Sequence, residues 1–331
     1  MLSRVAENLY WMARYIERAE DTARLLSVNS HLMLDLPRNV PLGWGPLVEM
    51  TGSLEAYQQR YERFDERSVV HFLCAEATNS SSILASLASA RENLRTTRDV
   101  VPRETWEEVN QLYFYIADNA ESSVNPRQRD RFLQHVIRSC QTLTGLIEGT
   151  MSQGSARTFI ELGRQLERAD MTTRIVDVRS ASLLPKHPDE LMPFENLQWM
   201  SVLKSLTAYQ MYRQQIRLRV SGPDVLRFLF QDPCLPRSIA YSLETLGEQL
   251  QSLPRCDRAL ATVLMVRADG NEADVQSLAY APSELHAFID ILQIGFANIH
   301  SAIAATYFVN NDSVPKVDPH HEERNTDDDV A

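Results

Sequence analysis

The sequence contains little glycine and no continuous apolar run long enough to cross a membrane. Eleven glycines in 331 residues is low for a β-rich protein, because tight strand connections depend on glycine. No run approaches the ~18 apolar residues of a membrane span. The N-terminal segment carries charges throughout and lacks the apolar stretch of a signal peptide. These absences predict a cytoplasmic protein that is rich in helices.

The motifs of common catalytic sites are also missing. The sequence has no GxxxxGK[ST] or GxGxxG loop for phosphates, no HExxH and no GxSxG. Its four cysteines are scattered without a CxxC pair, which predicts free thiols. Cys74 lies near His71 and Glu76 but has no local nucleophile signature. We therefore expect no cofactor, and the pair His320-His321 in the acidic tail is not a convincing metal site.

Acidic residues outnumber basic ones, 44 to 33, and the formal net charge is −11. The last twenty residues, from Asp312, carry seven acidic and two basic side chains, so the remainder is acidic as well. Non-specific nucleic-acid binding needs a basic surface, so this balance argues against it. Residues 311–331 are polar and acidic enough to predict a disordered tail.

The chain repeats part of itself. Residues 15–26, YIERAEDTARLL, align with residues 165–176, QLERADMTTRIV, at an offset of 150. Residues 53–58 align with 205–210 at an offset of 152, and two dipeptides at 72–73 and 82–83 align with 228–229 and 238–239. Three blocks in one order predict an internal duplication. We assign the repeats to residues 1–150 and 151–310, packed together as one globular unit.

Apolar residues recur at helical spacing, and no stretch alternates with the period of a strand. Helices are predicted at 3–27, 79–96, 102–119, 127–148, 156–180, 194–219, 237–252 and 282–308. Gly145, Gly149 and Gly154 are expected to mark the boundary between the repeats. The predicted fold is an all-α bundle of ten or more helices built from two pseudo-repeats.

The charged residues of the first motif recur in the second, whereas its neighbouring tryptophan does not. Trp11 becomes Glu161, while four charged positions are retained: Arg14, Glu17, Arg18 and Arg24 recur as Arg164, Glu167, Arg168 and Arg174. The simplest interpretation is a solvated helix face with i,i+4 pairs worth a few tenths of a kcal/mol. Charged residues that add so little stability would be expected to change after a duplication, so we also consider two specific roles.

In the first role, the two Glu-Arg motifs pair across a pseudo-twofold axis, Glu17 with Arg168 and Glu167 with Arg18. A buried reciprocal pair specifies register more than it adds stability. In the second role, the arginines line a pocket for a carboxylate or phosphate ligand, which a guanidinium binds well. The two roles are compatible.

Two other segments concentrate charge in unusual places. Arg91, Glu92 and Asn93 occupy little more than one helical turn together with Arg95, although an ordinary exposed helix would also explain them. Arg237 follows Pro236 at a predicted helix start, where a cation opposes the helix dipole. That placement indicates a specific use for Arg237.

These segments resemble the bacterial alpha-E family, all-α proteins named for an E-R motif. The similarity covers about residues 1–310, with departures at Ser80, Leu94 and Gln165. The matching segments are Leu2-Ser3-Arg4 with Glu7, Trp11, Arg14 and Glu17-Arg18-Ala19; Arg91-Glu92-Asn93; Gly163-Arg164 with Glu167-Arg168-Ala169-Asp170; and Pro236-Arg237-Ser238.

The resemblance implies a function, because members of that family tend to be encoded beside, or fused to, circularly permuted ATP-grasp ligases. Transglutaminase-like peptidases are often encoded nearby. We therefore expect a cytoplasmic partner of such a ligase in a peptide-forming or peptide-tagging pathway. The candidate binding residues are Arg4, Arg14, Glu17, Arg18, Arg91, Glu92, Asn93, Arg164, Glu167, Arg168 and Arg237.

Two alternatives remain open. The protein could be an enzyme of the same pathway, with Glu17 or Glu167 as acid or base and the arginines holding a carboxylate or phosphate. It could also be a purely structural oligomer. The sequence does not specify the oligomeric state.

Overall fold

The computed structural model describes residues 1–35, 43–182, 192–216 and 219–308, and those residues form helices and connecting turns without strands. This confirms the all-α fold. The described segments contain fifteen α-helices: α1 (Ser3–Asp35), α2 (Gly45–Met50), α3 (Leu54–Gln58), α4 (Glu66–Cys74), α5 (Ile83–Arg95), α6 (Arg103–Asn119), α7 (Pro126–Thr150), α8 (Ser155–Ser182), α9 (Met192–Ser205), α10 (Tyr209–Ile216), α11 (Gly222–Phe230), α12 (Ile239–Gln251), α13 (Asp257–Glu272), α14 (Val275–Leu278) and α15 (Pro282–Tyr307).

The long helices α1 and α8 pack against each other at the centre of the molecule. Each is flanked by two helices of its own half: α5 and α7 lie on α1, and α12 and α15 lie on α8. The second helix of each half crosses to the other central helix, so that α2 packs on α8 and α9 packs on α1. Because each half covers the central helix of the other, the two halves share one core.

The central helices follow their apolar stripes. On α1 the stripe through Leu9, Met12 and Leu26 is fully buried, and the corresponding stripe on α8 includes Leu162 and Leu166. The helices predicted at 3–27 and 156–180 extend to Ser3–Asp35 and Ser155–Ser182. Helix α1 continues beyond the predicted end at residue 27, where it still packs against neighbouring helices.

The same serine cap begins the equivalent helix in each half. The hydroxyl of Ser82 accepts a hydrogen bond from the backbone N–H of Ala85, and that of Ser238 accepts one from Tyr241. Such caps satisfy a free donor of the first helical turn. The helices α5 and α12 therefore begin directly after these serines. For α5 this is a few residues later than the start predicted at 79.

The helix predicted at 194–219 is wrong as a single element, because it is interrupted after Ser205. Thr207 has a φ of 55°, in the left-handed region. Its N–H bonds the carbonyl of Lys204, and the next N–H, of Ala208, bonds that of Leu203. This pair of bonds is the Schellman ending of a helix.

The end of α2 has the same geometry, and it corrects the alignment of the repeats. Gly52 has a φ of 66°, its N–H bonds Glu49, and the N–H of Ser53 bonds Val48. Gly52 therefore corresponds to Thr207, an offset of 155, and the tyrosine that matches buried Tyr57 is buried Tyr212. The similarity of residues 53–58 to 205–210 is out of structural register by three residues.

The glycines assigned to the repeat boundary are only partly there. Gly154 lies between α7 and α8, but Gly145 and Gly149 lie within α7. No neighbouring atom lies within 4 Å of a Cβ built at either position, so they make no turn and no close contact. The helix continues through them because its apolar face remains packed.

The last helix, α15, is long and apolar enough by composition to span a membrane, with a mean hydropathy of 1.3 over its most apolar window. Part of that hydropathy belongs to the core, since Leu285, Ile289 and Leu292 are buried where α15 packs on α8 and α13. All four cysteines are unpaired, as predicted. The acidic tail and its histidine pair lie outside the described residues.

Candidate functional site: the Glu-Arg network

The Glu-Arg motifs of the two halves meet where α1 crosses α8. The Glu167 carboxylate accepts hydrogen bonds from Nε and Nη2 of Arg18, at 2.6 and 3.1 Å, and from Nε of Arg14 at 2.7 Å. Only 2% of the Glu167 side chain is exposed. Burial alone would raise the pKa of Glu167, but Arg18 and Arg14 outweigh burial and lower it. Glu167 is thus a buried carboxylate closed by two guanidinium groups.

Glu17 has the reciprocal arrangement. Nε and Nη2 of Arg168 donate to its two carboxylate oxygens at 2.8 and 3.0 Å. Nη1 of Arg237 lies 2.9 Å from Oε1 of Glu17. Burial acts to raise the pKa of Glu17, but Arg168 and Arg237 hold it at about 2. The two reciprocal pairs that the repeat predicted are present, and the solvated-face interpretation is wrong for these residues.

The second arginine differs between the two halves. By the repeat, Arg164 should bind Glu17 as Arg14 binds Glu167. Instead Arg164 binds Glu148 at 2.7 Å and also Glu161.

Glu161, which replaces Trp11, accounts for this difference together with Glu148. Arg14 lies over the ring of Trp11, 4.9 Å from its centroid, whereas the residue at the Trp11 position of the second half is Glu161. The Glu161 carboxylate holds Arg164 away from the centre, and Arg237 takes its place on Glu17. The sequence indicated a use for Arg237 through its position at a helix start and through the family resemblance of its segment.

Arg237 also connects Glu17 to two acids that sequence reasoning did not select. Its Nη1 donates to Oδ1 of Asp21 at 2.6 Å, and its Nη2 to Oε1 of Glu20 at 3.3 Å. Burial raises the pKa of Asp21, Arg237 lowers it, and Glu17 and Glu20 raise it; the result is about 7. Oδ2 of Asp21 is buried without a hydrogen-bond partner in the described structure. Asp21 is therefore a buried carboxyl poised to change its charge near neutral pH.

Arg24 and Arg174 form a second reciprocal contact between the halves. Each binds the acid one turn earlier, Arg24 to Glu20 at 3.0 Å and Arg174 to Asp170 at 2.9 Å. Each also reaches the helix-ending turn of the opposite half. Arg24 donates to the hydroxyl of Thr207, and Nη1 of Arg174 lies 2.9 Å from a Cβ built at Gly52. The pseudo-twofold relation thus extends from the centre to both turns.

The Arg-Glu-Asn segment lies elsewhere. Nε of Arg91 donates to Asn110 at 2.6 Å, and its guanidinium lies 5.0 Å from the centroid of Tyr113. Glu92 pairs with Arg95 on the exposed side of α5. The carbonyl of Asn93 accepts bonds from two threonines at the end of that helix, and Arg4 is exposed on α1. Arg91 and Arg4 therefore lie apart from the Glu-Arg network formed by Arg14, Arg18, Arg168 and Arg237.

Two cavities of the described residues lie away from this network. One of about 360 Å³ is formed where His31, Trp44, Glu66 and Arg129 meet, and its buried Arg129 binds Glu66 at 2.7 Å. Another of about 160 Å³ lies between α1 and α9. The described residues hold no group of three or more metal-binding side chains. The Glu-Arg arginines have carboxylate partners within the protein, and their binding of an external ligand stays a prediction.

Comparison with known proteins identifies the family. The chain belongs to the Alpha-E family, described as a predicted alpha-helical domain with a conserved ER motif, whose model matches residues 1–308. It is 25% identical over 273 residues to an uncharacterized protein of Mycobacterium bovis and to uncharacterized proteins of two Mycobacterium tuberculosis strains. The match covers 76% of this chain but 30% of each relative, so the chain spans less than a third of their length. No solved structure matches the chain.

Proposed function

We propose that this Alpha-E protein is a cytoplasmic accessory protein that binds a circularly permuted ATP-grasp ligase, or the substrate of that ligase, in a peptide-forming or peptide-tagging pathway. The observation that carries the proposal is that Glu17 and Glu167 are each buried and closed by two arginines. A carboxylate with a lowered pKa and occupied oxygens is a poor acid or base at neutral pH. The motif that defines the family is therefore better suited to holding the two halves together than to catalysis.

The length of the relatives supports an accessory role. In the mycobacterial proteins the matched region is 30% of a longer chain. A region that is fused to further sequence in related proteins commonly acts together with the fused region. We propose that the ATP-grasp ligase is the corresponding partner of this protein. That partner supplies the ATP chemistry, because this sequence has no phosphate-binding loop.

One observation favours the enzyme alternative, and it concerns a different residue from those expected. Asp21 has a pKa raised to about 7 and a buried oxygen without a partner, properties shared by catalytic acids. If the protein is an enzyme, Asp21 is the acid to test rather than Glu17 or Glu167. The accessory role is preferred because Asp21 is 1% exposed and its carboxylate is held by Arg237 inside the protein.

The direct test is purification of the tagged full-length chain from its own cells, followed by identification of bound proteins. We expect an ATP-grasp ligase to co-purify in stoichiometric amount, and the ligase alone to hydrolyse ATP. The matched control is Met211→Asp, a substitution at an exposed apolar residue of α10.

The proposal is wrong if no ATP-grasp protein is recovered and the purified chain by itself converts a peptide or phosphorylated substrate. In that case Asp21→Asn tests the enzyme alternative. Loss of turnover with an unchanged melting temperature would assign the reaction to Asp21.

A further inference from the structure

The outer side of α13 and α15 carries large apolar side chains in contact with solvent. Met265 of α13 is 69% exposed, and Ile291 and Ile294 of α15 are 54% and 62% exposed. We call these three residues the α13–α15 face. Exposed apolar groups gathered in one place mark interaction sites, whereas single ones are ordinary.

The register of the two helices places these residues on one side. The Tyr307 hydroxyl at the end of α15 donates to the carbonyl of Pro254 just before α13. In the middle of the pair, a Cβ built at Gly295 would lie 2.6 Å from Val266. The helices are therefore antiparallel. Each helix turns by about 100° per residue, and the two helices run in opposite directions. Ile294, just before Gly295, and Met265, just before Val266, therefore point to the same side of the pair.

The fold does not require an apolar surface at this position. In the first half, α7 packs on α1 and α6 as α15 packs on α8 and α13. The exposed positions of α7 are polar or small and include Arg127, Arg131, Arg138 and Gln141. One of two equivalent helices thus has an ordinary solvent-facing surface, and the other does not. The difference indicates that the α13–α15 face is covered by something other than solvent.

Charges around the face indicate what covers it. Where α13 ends and α15 begins, five exposed acids surround the apolar residues: Asp269, Glu272, Asp274, Glu284 and Asp290. Where α13 begins, Arg255 and Arg258 are exposed and outnumber the one exposed acid there, Asp257. The face therefore has an acidic end and a basic end, with its isoleucines between them.

We propose that the α13–α15 face binds the same face of a second copy of this chain. A two-fold axis near Ile291 and Ile294 reverses the direction of α15 between the copies. Ile291 of each copy then packs on Ile294 of the other, and the basic end of each copy meets the acidic end of the other. Such an isologous contact is self-complementary and closes as a dimer. This inference is independent of the proposed ligase partnership.

Light scattering coupled to size-exclusion chromatography of the full-length chain tests the dimer. The wild type is expected to elute with the mass of two 37.7 kDa chains. Ile291→Asp with Ile294→Asp is expected to give a monomer with an unchanged far-ultraviolet circular dichroism spectrum, because both side chains face solvent in the isolated chain. Arg258→Glu is expected to raise the dissociation constant of the dimer several-fold at low salt. Added salt should raise the dissociation constant of the wild type, because screening weakens the attraction between the charged ends.

The matched control is Met211→Asp, which should leave the dimer intact. A wild-type monomer at every concentration would overturn the proposal. If that monomer sedimented with lipid vesicles or bound only the ligase through this face, the occupant would be a membrane or the ligase instead of a second copy. A dimer unaffected by the isoleucine substitutions would also overturn it, because the contact would then lie elsewhere.

Discussion

Gly163 of α8 lies against the backbone carbonyl oxygen of Tyr10 in α1, so closely that a Cβ at position 163 would stand 2.2 Å from that oxygen. Real Cβ atoms do not approach an oxygen to that distance, so only glycine allows this contact. The close approach of α1 and α8 brings Arg18 within reach of Glu167 and Arg168 within reach of Glu17. The glycine that precedes the second Glu-Arg motif therefore has a packing reason.

Gly163→Ala should destabilise the protein, because α1 and α8 must move apart to admit the methyl group. Overpacking of this kind typically costs about 1–3 kcal/mol, and the contact with backbone places this variant at the upper end. The free energy of unfolding in urea measures the change. Gly145→Ala, within α7 and free of neighbours within 4 Å, is the matched control and should be neutral or more stable. Equal effects at the two glycines would show that the close approach is not required.

Arg168→Ala should also destabilise the protein, because it leaves the buried carboxylate of Glu17 with only one direct arginine partner, Arg237. Breaking a buried pair costs about 3–5 kcal/mol, and we expect the lower end because Arg237 remains. Arg18→Ala should behave alike, since Glu167 retains Arg14. The exposed Arg103, paired with Glu107, provides a control whose replacement by alanine should not change the melting curve. Unchanged stability of Arg168→Ala with loss of ligase association would instead favour ligand binding by the motif.

The stability of the protein should depend on pH through Asp21. The pKa of Asp21 is about 7 in the folded protein, against an ordinary value of 3.8. The folded state binds more protons than the unfolded chain between these values, so stability falls as pH rises from about 4 to 7. Asp21→Asn removes this dependence, and its stability relative to wild type should be greater at pH 8 than at pH 4. Urea unfolding at both pH values decides it; a constant difference would contradict the raised pKa.

Glu17 has the opposite dependence. Its pKa is about 2 in the folded protein, against 4.5. A lowered pKa stabilises the folded state above the unfolded value, and this contribution is lost as pH falls from 4.5 towards 2. Acid unfolding of Glu17→Gln should therefore begin from a lower stability at neutral pH and show a shallower decline below pH 4.5. A parallel decline in wild type and variant would rule out this role of Glu17.

Gly52→Ala should destabilise the end of α2 by about 1–2 kcal/mol, because its φ of 66° is unfavourable for a residue with a Cβ. Thr207→Gly makes the reverse change at the equivalent turn. It relieves a strained φ but removes the hydroxyl that Arg24 binds, so we expect a small net effect. Melting temperatures of the two variants compare the turns directly. A larger loss for Thr207→Gly would show that the Arg24 contact outweighs the backbone strain.

The sequence by itself was sufficient for the local features of this protein. Apolar spacing predicted α1 and α8, because helical periodicity is a local signal that acts within three or four residues. The retained charges also predicted the pairs of Glu17 with Arg168 and of Glu167 with Arg18. The evidence for these pairs was that the same charged residues are retained in both repeats, so that each repeat contains one partner of each pair.

Only the tertiary structure decided which other groups join them. Arg237 lies far along the chain from Glu17, and nothing in its local sequence names that partner. Asp21 has no charged counterpart in the second half, where Met171 occupies its position, so the repeat could not select it. The replacement of Trp11 by Glu161 is visible in the sequence, but its effect on Arg164 depends on which carboxylate lies nearer. The pairing of charges is set by distance and burial, and these are properties of the packed helices rather than of any one segment.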